Sequence, residues 1–195
     1  MRLAQTRRES GFTLIELMVT LAVLAILLAA AAPSFSDFID KSRLKGAAQG
    51  AVDVINNARA ESVRQGRDVS IAMKGTTTTW CLGAKAAAEP SVLGEPVPAA
   101  TACDCVAAPT ACVIGGQQLV FATTQNNGVE LSAAPTVDFN FNNRFGTVDG
   151  LGTTTVTMTS PRKKFDLELT VTPLGQVTLC VPASSDLPIA GYPSC

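Results

Sequence analysis

Histidine is absent from the 195-residue chain. With it go Ser-His and Cys-His nucleophile pairs, imidazole general bases and every histidine-containing metal site. Charge is scarce as well: 15 Lys+Arg against 16 Asp+Glu leave a formal charge of -1, so no strongly basic field advertises nucleic acid as a partner. Phosphate-cradling and dinucleotide glycine patterns are missing. Ser and Thr are plentiful but have no base to activate them. Asp37 and Asp40 stand at i,i+3 on a helix, yet Lys41 follows, which reads as a solvated face rather than a carboxylate dyad. What is abundant is apolar: 47% of residues are hydrophobic, which argues against disorder, and they concentrate near the N-terminus. The length suits one long helix plus one domain of ordinary size. Six cysteines, Cys81, Cys103, Cys105, Cys112, Cys180 and Cys195, all fall after residue 80. An even number confined to one region points to disulfides and an oxidising compartment.

Residues 1–11 are polar and carry Arg2, Arg7 and Arg8 against Glu9. Phe12 to Ala32 follow, with Thr13, Glu16 and Thr20 as the only polar residues. That matches the roughly 20 residues a helix needs to cross a bilayer. A secretory signal peptide is one alternative, with Ala30-Ala31-Ala32 as its cut site. Its apolar stretch, however, normally runs to about 7–15 residues, and here Glu16 interrupts it and Pro33 would follow the cut. A plain anchor leaves Glu16 unexplained, because an ionised carboxylate costs about 2.5–3.5 kcal/mol at mid-bilayer and needs a partner. Basic residues lie on both sides of the span, so they do not set its orientation; the cysteines place the C-terminal part outside the cytoplasm.

Gly11-Phe12-Thr13-Leu14-Ile15-Glu16-Leu17 resembles the processing motif of type IV prepilins and type II secretion pseudopilins. The resemblance implies that a prepilin peptidase cuts between Gly11 and Phe12 and that Phe12 becomes the N-methylated N-terminus. It implies a helix kink at Pro33. It further implies that Glu16 pairs with the Phe12 amine of a neighbouring subunit during filament assembly. The physics agrees, since pairing relieves two desolvation costs at once. The organisation expected on this basis is a leader peptide at 1–11, a transmembrane or filament-core helix at 12–33, an amphipathic helix at 34–66 and a disulfide-stapled β head at 67–195. The implied location is the bacterial inner membrane, single-pass with the head in the periplasm, and then a pilus or pseudopilus. The implied partners are other pilins, the peptidase and the inner-membrane assembly platform, with no cofactor and no catalytic residue.

Phe35, Phe38, Ile39, Ala48, Ala51, Val52, Ile55, Ala58 and Ser62 recur at helical spacing, and Gly66 is a helix stop. From Asp68 the period changes. Val69–Met73 alternates as a half-buried strand does, and further strands are expected at Leu119–Thr123, Val129–Leu131, Val137–Phe141, Thr153–Thr159, Phe165–Thr172 and Val177–Val181. The fold class is α+β: a long N-terminal helix packed on an antiparallel β head. Gly83 to Gln118 reads as a long Ala- and Pro-rich loop.

A Cys180–Cys195 bridge is expected to close the C-terminal loop, as in many pilins. Six cysteines allow 15 pairings; for the other four the expectation is Cys81–Cys103 with Cys105–Cys112. A four-thiolate metal site has the wrong spacing. Trp80-Cys81-Leu82-Gly83, Phe145-Gly146-Thr147 and Leu174–Cys180 resemble the GspH/FimT group of minor pilins and pseudopilins. Some members of that group bind DNA through a Gly-Arg-x-Arg element, where this chain has Gly175-Gln176-Val177-Thr178. Arg162-Lys163-Lys164 is the one basic cluster of the head and the candidate DNA contact; a solvated hairpin end is the favoured reading. Removing residues 1–11 takes away three Arg and one Glu, so 15 basic and 16 acidic residues become 12 and 15, a net charge of -3. Nucleic acid is therefore an unfavoured partner.

Overall fold

The computed structural model describes residues 11–89, 99–135, 137–150, 152–185 and 187–195; the side chains at 30–33 and 123 also lie outside the described set. Helix α1 spans Leu14–Gln65. The chain divides into two units, residues 1–39 and residues 40–195. In the first unit the apolar residues from Phe12 to Leu28 are exposed along the helix. By length and composition no single helix is long and apolar enough to cross a membrane; Leu14–Ala29 passes only jointly with Ser34–Gln65. The leader residues 1–10 and the Pro33 side chain, where the kink was expected, lie outside the described residues.

The second unit is the head together with the helix that crosses it. Leu44, Ala47, Ala48, Ala51, Val54, Ile55, Ala58 and Ser62 recur every three or four residues and are buried, the stripe an amphipathic helix presents to a sheet. Phe35 and Phe38, expected on this stripe, are exposed instead: they precede Asp40, where the second unit begins. Gly50 has a packing reason, because an added Cβ would sit 2.4 Å from the Phe121 ring. The helix ends in a Schellman arrangement: Gly66 at φ 62° donates its N–H to Val63 O, and Arg67 donates to Ser62 O.

Among the described residues, two four-stranded antiparallel sheets and one short hairpin follow. Strands β1 (Val69–Gly75), β2 (Trp80–Ala86), β3 (Val113–Ile114), β4 (Gln117–Gln118) and β5 (Val120–Phe121) precede β6 (Glu130–Leu131) and β7 (Asp138–Phe141). Strands β8 (Thr154–Thr159), β9 (Asp166–Val171) and β10 (Val177–Cys180) complete the head. The first sheet has the order β5-β2-β1-β7, the second β10-β9-β8-β6, and β3 pairs with β4.

Strand β2 is absent from the strands expected from the sequence, and from Gly83 onward it occupies what reads as the start of the long loop. It pairs with β1 from Gly75 opposite Trp80 to Val69 opposite Ala86. Its first five residues are buried without alternation, as are those of β1, which the sequence presented as half-buried. The reason is cover on both faces. Trp80, Leu82 and Ala84 join the main core with the helix, whereas Cys81 packs with Cys103, Cys105 and Cys112 on the opposite side. The Trp80 indole donates to Val129 O at 2.9 Å, so this buried N–H is satisfied. Met158, Leu167, Leu169 and Val171 of the second sheet, with Phe165 just before β9, close the same core.

Candidate functional site

The Gly11–Glu16 segment is built from a lead-in outside the helix and a helix start. Gly11, Phe12 and Thr13 are exposed and precede helix α1. Thr13 is the N-cap: its Oγ1 accepts the Glu16 backbone N–H at 3.3 Å. Thr13-Leu14-Ile15-Glu16 is therefore a capping-box sequence, and Glu16 also meets the positive end of the helix dipole. The sequence reading gave Glu16 an assembly role and missed this local one, although Thr-x-x-Glu was legible.

The basic cluster sits on the turn between β8 and β9. Its cations face carboxylates of the same chain: Arg162 Nε lies 3.7 Å from Asp40 Oδ2, and Lys163 Nζ lies 3.5 Å from Glu130 Oε2. Lys164 is also partnered. Ser160 Oγ accepts the N–H groups of Lys164 and Phe165, which fixes the turn. Asp40 corrects the solvated-face reading: it is 3% exposed, because it enters the head opposite Arg162. Lys41 covers the Phe165 ring at 4.7 Å.

The disulfides correct one expectation. Cys81 bonds Cys105 and Cys103 bonds Cys112, in place of Cys81–Cys103 with Cys105–Cys112. Asp104 shapes the turn that carries two of these cysteines. Its Oδ1 accepts the N–H groups of Val106 and Ala107, and Ala108 N–H closes on Asp104 O. These backbone donors also hold the Asp104 carboxyl below its ordinary pKa. The turn sets Cys103 and Cys105 side by side over Gly83, one bridging to β2 and the other to Cys112. Gly83 supplies the space: an added Cβ would lie 2.7 Å from Cys112 Sγ and 2.8 Å from Cys103 Sγ. Gly83→Ala is therefore expected to cost about 1–3 kcal/mol by overpacking, read as a lower Tm and more free thiol after oxidative refolding. Cys180 bonds Cys195. Glu168 lies near both of those sulfurs, but in a disulfide they offer no thiolate to a metal.

Elsewhere the described residues of the head show local electrostatics. Arg59 on the helix donates to Gly146 O and to Leu174 O, both at 2.9 Å, tying the Phe145-Gly146 and Leu174-Gly175 turns to α1. Gly175 is required there: it stands at φ 73°, and an added Cβ would lie 2.4 Å from Gly146 O. This contact gives the sequence fragments at Phe145–Thr147 and Leu174–Cys180 a shared structural purpose. A polar cleft of about 310 Å³ is lined by Asn57, Glu61, Arg64, Gly115, Gln117 and Gln118. The Arg64 guanidinium, then Gln65, holds the Glu61 carboxyl below its usual pKa. Asp149 is pushed the other way, first by lost hydration and then by the Asp68 carboxylate. Its ionised form is thus disfavoured by folding, a penalty that is absent below the ordinary Asp pKa of about 4 and sets in as pH rises. Asp149→Asn is expected to raise Tm slightly at pH 7 and to leave it unchanged at pH 3, a comparison that calorimetry makes directly.

Comparison with known proteins gives a short list. Residues 6–32 match the family model described as the prokaryotic N-terminal methylation motif. No curated protein matches the chain. Among solved structures, the crystal structure of the type IV minor pilin FimU of Pseudomonas aeruginosa is similar. It is 18% identical with a TM-score of 0.44, covering 73% of this chain and 91% of that one. The chain thus matches the prokaryotic N-terminal methylation motif at the start of a long helix, in an α+β fold whose head is built of antiparallel sheets.

Proposed function

We propose that this chain is a non-enzymatic minor pilin-like subunit of the GspH/FimT type, a structural component of a type IV pilus or of a type II secretion pseudopilus. The observation that carries the reading is the methylation motif over residues 6–32, opening a helix whose apolar residues from Phe12 to Leu28 are exposed in the single chain. Such a surface needs lipid or neighbouring helices to cover it. On this reading Gly11 and Phe12 flank the peptidase cut, Phe12 is methylated and Glu16 supplies the assembly charge. The prepilin waits in the inner membrane with its head in the periplasm and then enters the filament. Shearing filaments from cells and identifying the chain in them by mass spectrometry tests the reading. A mature chain that begins at Phe12 but never leaves the membrane would overturn it. Neighbouring genes for pilus assembly or for secretion separate the two filament types.

Uptake of DNA through the head is the second reading, and the ion pairs of Arg162 and Lys163 with Asp40 and Glu130 weigh against it. A phosphate must compete with carboxylates already in place, and Gln176 stands where DNA-binding relatives have Arg. The expected gel shift with duplex DNA at moderate salt is weak. Tight binding that is lost on replacing Arg162, Lys163 and Lys164 by Ala would reverse the order of the two readings.

A further inference from the structure

We propose that Cys180–Cys195 is the latch of a clasp that fixes helix α1 where it enters the head, and that a dithiol reductant opens this bridge while the two inner bridges stay closed. The clasp has two arms. One is the β8–β9 turn, with Arg162 Nε 3.7 Å from the buried Asp40 and Phe165 beneath Lys41. The other is the C-terminal loop closed by the bridge. Its Ala190 O accepts Lys45 Nζ at 2.8 Å, and its Tyr192 ring lies 5.3 Å from the same nitrogen. Ile189, 2% exposed, seats that loop in the main core. The arms meet where Ser185 Oγ accepts Asp166 N–H and donates to Leu187 O. Three consecutive contacts on the helix, at Asp40, Lys41 and Lys45, are thus held by segments distant in sequence.

Access separates the three bridges. Cys81, Cys103, Cys105 and Cys112 are no more than 5% exposed. Cys180 is half-buried and Cys195 is exposed. Reduction begins with a thiolate reaching a disulfide sulfur, so the outer bridge reacts first. A reductant thiolate attacks Cys195 Sγ, forms a mixed disulfide and expels the Cys180 thiolate, which takes a proton from water. The second reductant thiol then displaces Cys195. The balance is two cysteine thiols gained and one dithiol oxidised to its disulfide. Once open, the tail is hydrogen-bonded beyond the end of β10, among the described residues, by Val181 N–H to Pro193 O and Cys195 N–H to Val181 O. It frays, because the covalent closure of the 15-residue loop no longer limits its freedom.

The test uses the full mature chain in detergent under native conditions. Brief dithiothreitol treatment, alkylation and peptide mapping are expected to label Cys180 and Cys195 alone. Hydrogen exchange is then expected to quicken about tenfold or more at the Tyr192 and Cys195 amides and across helix residues 42–48, with Met73 and Leu82 unchanged. The paired Cys180→Ser and Cys195→Ser variant should show the same exchange pattern without reductant. Inner cysteines labelled at the same rate overturn the selectivity. A labelled outer pair with unchanged exchange in residues 42–48 overturns the clasp.

Discussion

A Gly11→Glu variant is expected to accumulate as an uncut chain that keeps residues 1–11, with essentially none of the mature form. The structure isolates the cause. An added Cβ at Gly11 meets nothing within 4 Å, and the residue lies ahead of helix α1, so the substitution leaves this chain's own fold untouched. What it changes, on the proposed function, is the residue presented at the cut, where a bulky charged side chain replaces the smallest residue ahead of the apolar run. Intact-mass measurement on membranes distinguishes the two chains by eleven residues. A native N-terminus near Ala31 or Pro33 would instead establish a signal peptide, cut after the apolar stretch.

Glu16→Val is expected to insert and mature normally but to fall about a hundredfold in sheared filaments. Two roles compete for Glu16, and their magnitudes decide between them. Its interaction with the helix N-terminus is worth about 0.3–1 kcal/mol, and the Thr13 cap survives the change because it uses the Glu16 backbone N–H. Leaving a charge unpaired at membrane depth costs about 2.5–3.5 kcal/mol, and each 1.4 kcal/mol is a factor of ten. On the proposed function, pairing with the amine of a neighbouring subunit is therefore the larger of the two effects. Glu16→Gln sharpens the test, because it keeps the shape and the local hydrogen-bonding capacity while removing the charge. Loss from filaments in both variants supports the ion pair; loss in neither sinks it, and loss in the Val variant alone assigns Glu16 to the helix start.

The sequence by itself determined the parts of this protein that depend on neighbours along the chain. The methylation segment is read from the resemblance of Gly11–Leu17 to a known motif, whereas the long helix with its small-residue stripe from Ala47 to Ser62, the stop at Gly66 and the strands from Asp138 to Cys180 follow from local periodicity, capping and turn chemistry. Those signals are carried by residues at most a few positions apart, so no tertiary contact was needed to see them. The tertiary structure decided what rests on covering a surface with something distant. Strand β2 was hidden because Trp80–Ala84 is buried on both faces, by the helix on one side and the disulfide layer on the other, and such a strand loses the alternation that announces it. The bridge partners of Cys103 and Cys105 are visible only in the fold, which brings both cysteines beside Gly83 on β2, a neighbourhood that spacing in sequence does not encode. Asp40 read as a solvated acid until Arg162, more than a hundred residues away, was brought opposite it. Charge and polarity are written in the chain; the partner that makes a buried charge tolerable is chosen only when the chain folds.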